Sequence, residues 1–401
     1  DIGSKSIKVV IGELRKGRAL AVTHAFKVPS IGIRKGVVED ISGVAQSLSP
    51  ALAEVKKLAP GALSHAFVGV GSADVRTQIS SGVVAVSRAD SEIHEDDVAR
   101  AVASAQAVTL PANRIVLHAL VREFIVDGVR DIRDPLEMVG NRLEVSTLII
   151  DAFAPAIKNI NKCVEMLGAG VGGLILTPLS DARAVLTRNQ RELGVVLVDI
   201  GFGKTSICVY EEGKLLHTAI FPVGAGNVTN DLAIGLKVPV ETAEQVKVAY
   251  GCAVAKEVAA RDMIDISKLN PKVKGLVPKR FVAEIIEVRL AEIFEFVNNE
   301  LKSLAKAARL PGGVVLVGGG AKVPGLVALA RSELKLSAQI GVFDAGSVEL
   351  RSADLANTLE DPEFACAVGL LLWGYDKRIE SGMTSMPLMG LVRRIGRYLA
   401  P

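Results

Sequence analysis

Apolar residues along the chain follow two periods. The run Val195-Val196-Leu197-Val198 leads without a break into Asp199-Ile200-Gly201-Phe202-Gly203-Lys204, and a second apolar run ends at Tyr210. An unbroken apolar run of strand length, closed by a glycine-bearing turn, predicts a strand buried on both faces, a tight turn and a returning strand. His217 to Val223 completes a meander, and Gly224-Ala225-Gly226 then opens a helix capped by Thr229 or Asn227. Further strands are expected at Ala19 to Val28, Ala66 to Val70, Val171 to Leu176 and Val314 to Val317. Helical spacing marks Ser42 to Leu58, Ile157 to Leu167, Ser180 to Arg188, Glu241 to Tyr250, Phe281 to Leu304 and Val323 to Leu334. Ala365 to Leu372 reads as a small-residue helix suited to close packing.

Taken alone, the turn at Asp199 is equally an ordinary hairpin with aspartate as a turn residue. The chain's first residues change that. Asp1-Ile2-Gly3-Ser4-Lys5-Ser6-Ile7-Lys8-Val9-Val10 repeats the pattern, with the second copy's turn read as two residues longer. A repeat at this separation implies a duplicated α/β unit. The first copy lacks the apolar strand that precedes Asp199, and the chain does not open on Met, so a short segment is expected to precede it. A third glycine cluster, Gly318-Gly319-Gly320, again follows an apolar strand. Glycines let backbone N–H groups approach an anion, and a carboxylate beside such a nest holds a hydrated Mg²⁺ against phosphate oxygens. Two such turns facing each other would clamp one polyphosphate from both sides.

Between the first and second copies the pattern changes character. Val83 to Val86 is strand-like, Asp96 to Val108 has a helical apolar face, and Ile115 to Val126 and Leu143 to Ile150 are strands joined by a charged turn, Asp131 to Pro135. This small β-α-β-β module has no glycine-rich turn, so an interaction surface is its expected role. His94 and His118 within it have no partner nucleophile or carboxylate and read as structural.

Composition narrows the field. With 49% hydrophobic and 23% charged residues the chain is a folded globular protein, and at 401 residues it forms more than one domain. A net charge of +3, 4% aromatic residues and a single Trp373 argue against a nucleic-acid surface. Four scattered cysteines without CxxC spacing argue against a disulfide framework and fit a reducing cytoplasm. No apolar run approaches the ~20 residues of a spanning helix, and there is no signal peptide.

The order of the three turns resembles the actin, Hsp70 and sugar-kinase ATPase superfamily. Within it the chain is similar along nearly its whole length to the FtsA family of bacterial cell-division proteins. Gly82 to Arg88, Arg122-Glu123-Phe124-Ile125-Val126-Asp127-Gly128, Thr229-Asn230-Asp231-Leu232-Ala233 and Leu290 to Glu295 carry the likeness. It implies a duplicated actin/Hsp70-like α/β fold with two major lobes around a nucleotide cleft and an inserted β-α-β-β subdomain. The expected divisions are 1–78 with 153–194 and 350–380 for the first lobe, 79–152 for the insert, 195–226 with 309–349 for the second lobe, and 227–308 for its subdomain. A linker at 381–387 and an amphipathic helix at 388–401 would follow.

The resemblance also implies ATP and Mg²⁺ as cofactors. Asp1 and Asp199 would hold Mg²⁺ through water. Gly3, Ser4, Lys5, Gly201, Gly203, Lys204 and Thr205 would meet the phosphates, with Gly224 and Gly226 beside them. Gly318, Gly319 and Gly320 would face the nucleoside, and Glu244 and Lys247 its sugar, although a solvated Glu–Lys pair is the plainer reading of that helix face. Family members usually carry Asp-Ile-Gly-Gly-Gly-Thr-Thr-Asp at the second turn. Here Phe202, Lys204 and Ser206 depart from it, which leaves binding intact and puts hydrolysis in doubt; at most slow ATPase activity is expected.

Expected partners are the acidic C-terminal tail of the tubulin-like protein FtsZ, received near Arg289, a second copy in a head-to-tail filament, later division proteins on the insert, and anionic lipid on the cytoplasmic face of the membrane. The lipid expectation rests on the tail. Leu388, Leu391, Val392, Ile395, Tyr398 and Leu399 fall on one helical face, with Arg393, Arg394 and Arg397 opposite. The alternatives are the pilus assembly adaptor PilM, which shares the fold and the insert but lacks such a tail, and, further off, a sugar or acetate kinase. A chaperone of the Hsp70 type would need a substrate domain for which no length remains.

Overall fold

The computed structural model describes residues 1–15, 19–273 and 275–383. The apolar run at Val195–Ile200 forms the middle of a five-stranded sheet, as an unbroken apolar sequence requires. Val195 to Val198 and Ile200 have no exposed surface. Because side chains alternate across a strand, Val196, Val198 and Ile200 enter one core while Val195 and Leu197 enter another. Thr205–Glu211 and Lys214–Phe221 continue the sheet antiparallel on one side. Val314–Val317 and Ala338–Ile340 continue it in parallel on the other.

The first half contains the same parts in two pieces. Ser6–Leu14 pairs antiparallel with Leu20–Pro29, and Ala66–Val70 pairs parallel with Val171–Leu176. Among the described residues no strand joins the two, and the place that Val195–Ile200 takes in the second half has no counterpart. The long helix Ala365–Met383 lies against both pieces, with Leu371 on Gly12 and Leu370 and Cys366 on Gly69. The outer edge of Leu20–Pro29 is covered in parallel by Glu349–Leu350, from far along the chain. Ile33–Arg34 and Val37–Val38 close a separate small hairpin.

The insert is a four-stranded sheet with the order Arg76–Ala85, Arg142–Phe153, Arg114–Val126, Val129–Ile132. The last strand takes in Asp131 and Ile132 of the expected charged turn; Asp127 and Gly128, both at positive φ (46° and 88°), make a two-residue hairpin turn just before it. Helix Glu95–Gln106 covers one face. It lies so close at Gly82 that a Cβ there would sit 2.6 Å from Ala105 N. The other face sends Leu120, Leu148 and Ile150 into the core that also holds Leu176, Leu179 and Leu197.

Two helices run between the halves. Thr177–Val185 packs along Ala365–Met383, Gly369 admits the Ser180 backbone, and Arg183 holds Asp376 through bonds of 2.8 and 3.0 Å. The expected Ser180 to Arg188 helix is thus two, the second being Arg188–Leu193. Lys279–Ser303 buries Val282, Ile286, Leu290, Phe294, Val297 and Leu301 along one stripe. Helix Ala365–Met383 continues through Ser381 to Met383, into the expected linker, since a single Gly382 costs a helix only about 1 kcal/mol. Residues 388–399 lie outside the described residues.

Candidate functional site

The two Asp-Ile-Gly turns face each other across a cleft of about 790 Å³, within the size range of small-molecule sites. They are the same length. Ile200 pairs with Thr205, and Gly201 N donates to Lys204 O at 2.9 Å. Ile2 bridges to Ile7, and Gly3 N donates to Ser6 O at 3.1 Å. The expectation of a longer second turn is corrected: Ser4 stands opposite Phe202, Lys5 opposite Gly203, Ser6 opposite Lys204, and Lys8 opposite Ser206. That last pairing has a function in each copy. Lys8 Nζ lies 3.1 Å from Asp1 Oδ2, and Ser206 Oγ donates to Asp199 Oδ2 at 3.3 Å. Sequence reasoning missed Lys8, although a lysine in a buried strand two residues from a turn was the signal.

The turns touch. A Cβ on Gly203 would sit 2.6 Å from Ser4 Oγ and 3.1 Å from Lys35 N. Lys204 reaches across to the first half, where Nζ donates to Gly71 O at 3.0 Å and to Thr177 Oγ1 at 2.9 Å. It borders the cleft, but those two acceptors, not open space, hold its ammonium. Burial pushes the Lys204 pKa down, against the opposing pull of Asp199 and Asp181. Burial pushes Asp199 up, while Lys204, Lys8 and the Ser206 hydroxyl oppose the shift.

Several expected phosphate contacts have other work. Thr205 is fully buried, and its hydroxyl donates to Val223 O at 2.8 Å, away from the cleft. Gly224 caps helix Ala225–Leu236; Thr229 lies within that helix, and Asn227 returns its side chain to Gly224 N at 3.1 Å. The first N–H groups of this helix are already used. Ala225 N donates to Gly201 O at 2.9 Å and Gly226 N to Phe202 O at 2.7 Å. A Cβ would lie 2.5 Å from Gly201 O at Gly224 and 2.8 Å from Phe202 O at Gly226. These two glycines seat the helix on the turn and do not meet a ligand.

The third cluster divides in the same way. Gly318 adopts φ 84° and ψ 173°, and it and Gly320 press against Ile200, each with a Cβ position within 2.8 Å of Ile200 O. Gly319 alone has room, its nearest neighbour being Glu363 Cγ at 4.0 Å.

On the far wall, Phe202 lies between two ammonium groups, Lys5 and Lys247, each 5.5 Å from its ring centroid. Glu244 joins them: it pairs with Lys247 at 2.6 Å, with Lys5, and with the Thr229 hydroxyl. Burial alone would raise the Glu244 pKa, but the bonds from Lys247, Lys5 and Thr229 outweigh it and hold the carboxyl below its usual range. Lys247 also donates to Ala225 O at 3.1 Å and Thr229 Oγ1 at 2.8 Å. The pair is an i,i+3 one on helix Val240–Tyr250, but its bonds to Lys5 of the first turn and to Ala225 and Thr229 of the helix after the second turn make it more than a solvated helix face. On the opposite rim Glu363 accepts from Ser6 Oγ at 3.2 Å and from Lys27 at 3.0 Å. Six lysines border the cleft: Lys5, Lys8, Lys27, Lys204, Lys247 and Lys322. Five carboxylates, Asp1, Asp181, Asp199, Glu244 and Glu363, border it too, so the lining offers partners for a polyanion and for a cation beside it.

Arg289 lies away from the cleft. It grips Asp231 through bonds of 2.6 and 3.0 Å and also pairs with Glu292, and the bond to Asp231 raises its pKa. It is less free than the sequence implied. His118 accepts from Leu176 N at 3.0 Å, a structural role.

Two lobes, each with an Asp-Ile-Gly turn at the end of its sheet, around a lysine-bordered cleft and with an inserted module in the first, make an actin-like ATPase fold. Solved structures agree. The PilM-PilN type IV pilus biogenesis complex matches with a TM-score of 0.65 over 93% of this chain and 97% of that one, at 17% identity. MreB5 of Spiroplasma citri bound to ADP matches at 0.54 over 96% and 97%, at 12% identity. Sequence comparison gives the family. Residues 196–369 match the profile "Cell division protein FtsA", and 72–151 match "SHS2 domain inserted in FTSA". The chain is 36% identical to the cell division protein FtsA of Pseudomonas aeruginosa over 97% of its own length and 91% of that protein's. With FtsA of Bacillus subtilis the figures are 34%, 92% and 81%. The chain belongs to the FtsA family of cell division proteins; PilM is a relative in fold.

Proposed function

We propose that the chain binds ATP with Mg²⁺ in the cleft, assembles head to tail, and holds the FtsZ division ring on the cytoplasmic face of the membrane. The observation that carries the nucleotide reading is the pair of equal turns, each placing a carboxylate, Asp1 or Asp199, on one lysine-lined cleft. The oxygen donors suit a hard divalent cation, and Gly318 leaves Asp199 uncrowded because it has no Cβ. Mg²⁺ bound there would neutralise phosphate charge. Asp1 and Asp199 would hold its water shell, with Lys8 and Ser206 fixing the two carboxylates. Gly3, Ser4, Lys5, Gly201 and Gly203 would present the turns to the phosphates, Gly319 the open side of the third turn to the nucleoside, and Glu244 and Lys247 would face its sugar. The ADP in MreB5, a protein of like fold, supports this choice of ligand.

No helix among the described residues is long and apolar enough to cross a membrane. Membrane attachment is proposed on the pattern of residues 388–399, apolar on one face and arginine-bearing on the other. The FtsZ tail is proposed to dock at Arg289, where Ile234 and Val288 on the same two helices are highly exposed. An acidic tail would exchange with Asp231 and Glu292 for the guanidinium. Later division proteins are assigned to the insert, whose strands expose Ile79, Val83 and Val116. Electron microscopy with Mg-ATP on anionic lipid monolayers tests the whole, comparing the full chain with one ending at Met383. Filaments on lipid from the full chain alone are expected. Absence of both filaments and lipid binding would overturn the proposal and favour a pilus-type adaptor.

A further inference from the structure

Phe202 breaks the pattern of its own turn. Its counterpart in the first turn is Ser4, and its two neighbours are Gly201 and Gly203. The ring is turned onto the start of helix Ala225–Leu236, where a Cβ on Gly226 would sit 2.9 Å from Phe202 Cε1 and 3.1 Å from Cδ1. Phe202 O accepts from Gly226 N at 2.7 Å, so backbone and ring are fixed at one place. Seated there, the ring borders the cleft with Lys5 Nζ and Lys247 Nζ over it, each 5.5 Å from its centroid. The negative face of the ring attracts both.

The two lysines are not equivalent. Lys247 is buried, and its three N–H groups go to Glu244, Ala225 O and Thr229 Oγ1. Glu244 in turn accepts from Lys247, Lys5 and the Thr229 hydroxyl. The Lys5 side chain is 51% exposed, and its ammonium has one hydrogen-bond partner among the described residues, Glu244. Two N–H groups remain on it, which makes Lys5 the cation of this wall that can meet an anion. It also comes from the other lobe: Lys5 belongs to the first turn, whereas the ring and the carboxylate that hold it belong to the second half.

We propose that Phe202 is a positioning residue for the anionic chain of the nucleotide: its ring, fixed on Gly226, holds the Lys5 ammonium against the second lobe, from where Lys5 presents its remaining N–H groups to the phosphates. The assignment rests on the nucleotide reading given above and deepens it. A lysine held beforehand loses less rotamer freedom on binding than a free one, and that difference appears as affinity.

The test is Mg-ATP binding by the full chain, measured by calorimetry for wild type, Phe202→Leu, Phe202→Tyr, Lys5→Met and the double variant of Lys5→Met with Phe202→Leu. Leucine fills most of the seat on Gly226 without a π face, and tyrosine keeps the face. Phe202→Leu is expected to bind about 2- to 10-fold more weakly, the span of a part-exposed cation–π contact, and Phe202→Tyr to bind as wild type does. In the Lys5→Met background the same leucine should weaken binding no further, because the ring acts through that lysine. An equal loss with and without Lys5, a tyrosine no better than leucine, or no loss in a folded Phe202→Leu would overturn the proposal. Melting of the ligand-free proteins checks folding, and Phe202→Met stands in if leucine is not accommodated. Failure of both to fold would make the ring a structural residue and equally overturn the assignment. If wild type itself binds no Mg-ATP, the nucleotide reading falls and this assignment with it, a result distinct from the others.

Discussion

Gly318 offers a sharp test of how the site is built. Its φ of 84° and ψ of 173° lie in a region that is essentially reserved for glycine, and a side chain there costs about 1–3 kcal/mol. Space adds a second cost. A Cβ on Gly318 would overlap Asp199 Oδ1 and lie 2.7 Å from Ile200 O, and neither the strand end nor the buried carboxylate can yield without disturbing the second turn. Overpacking of this kind adds roughly 1–3 kcal/mol. Gly318→Ala is therefore expected to lose roughly 2–6 kcal/mol, a large part of the ~5–15 kcal/mol that separates folded from unfolded protein. Because the clash falls on Asp199, Mg²⁺-dependent ATP binding should weaken at least about tenfold, or ~1.4 kcal/mol. Gly319→Ala is the control. Its nearest neighbour is 4.0 Å away, so stability should change by no more than ~0.5 kcal/mol. Guanidinium unfolding with calorimetric ATP titration reads both quantities. Equal stability and equal binding in the two variants would refute the argument.

Three further outcomes are expected. Burial, with a smaller push from Lys377, lowers the His118 pKa to about 4, so the unfolded chain takes up a proton first as pH falls. Stability should then be complete above ~6.5 and drop by at most about 3 kcal/mol between there and pH 4. In His118→Gln that slope should be missing from urea midpoints, and an unchanged slope would count against the assignment. Lys204→Met orphans Gly71 O and Thr177 Oγ1 and strips Asp199 and Asp181 of a counter-charge, for a loss of roughly 3 kcal/mol; a melting curve within error of wild type would contradict it. If Arg289 receives an acidic tail, Asp231→Asn frees its guanidinium and should tighten binding of an FtsZ tail peptide, whereas Arg289→Ala should weaken it. Fluorescence anisotropy that moves in neither variant would place the contact elsewhere.

The sheets were legible because their central strands are unbroken apolar runs, and Val195 to Val198 and Val314 to Val317 are buried on both faces as such runs demand. The Lys279–Ser303 helix was legible because its buried stripe repeats at helical spacing. The strand Glu349–Leu350 was not, since two residues carry no period and their pairing with Leu20–Pro29 is purely tertiary. Asp181, Glu363 and Lys8 were invisible as site residues for a related reason. One stands on a helix, one in a short turn and one in a strand, and only the closed fold brings them to one cavity.

The glycines show most plainly where a sequence stops being informative. A missing Cβ permits close approach, but it does not say to what. Gly203 admits the opposite turn, Gly224 and Gly226 admit the second turn's carbonyls, Gly318 and Gly320 admit Ile200, and Gly319, of the third cluster, has open space beside it. A second Asp-Ile-Gly turn longer by two residues follows only when Ser6-Ile7 is matched to Ser206-Ile207. Hydrogen bonding matches them otherwise: Gly3 to Ser6 repeats Gly201 to Lys204, and Lys8 and Ser206 then fall in the same place behind their aspartates. A lysine in one copy and a serine in the other do one task, holding a buried carboxylate in position, by charge in the first and by a hydroxyl in the second. The duplication is thus one of backbone geometry and of the job done at each station, and the residue types are free to differ. Ser206 holds Asp199 through its hydroxyl alone. It leaves Asp199 with a weaker partner than Asp1 has, so the two carboxylates would meet a cation as unlike ligands from the two lobes.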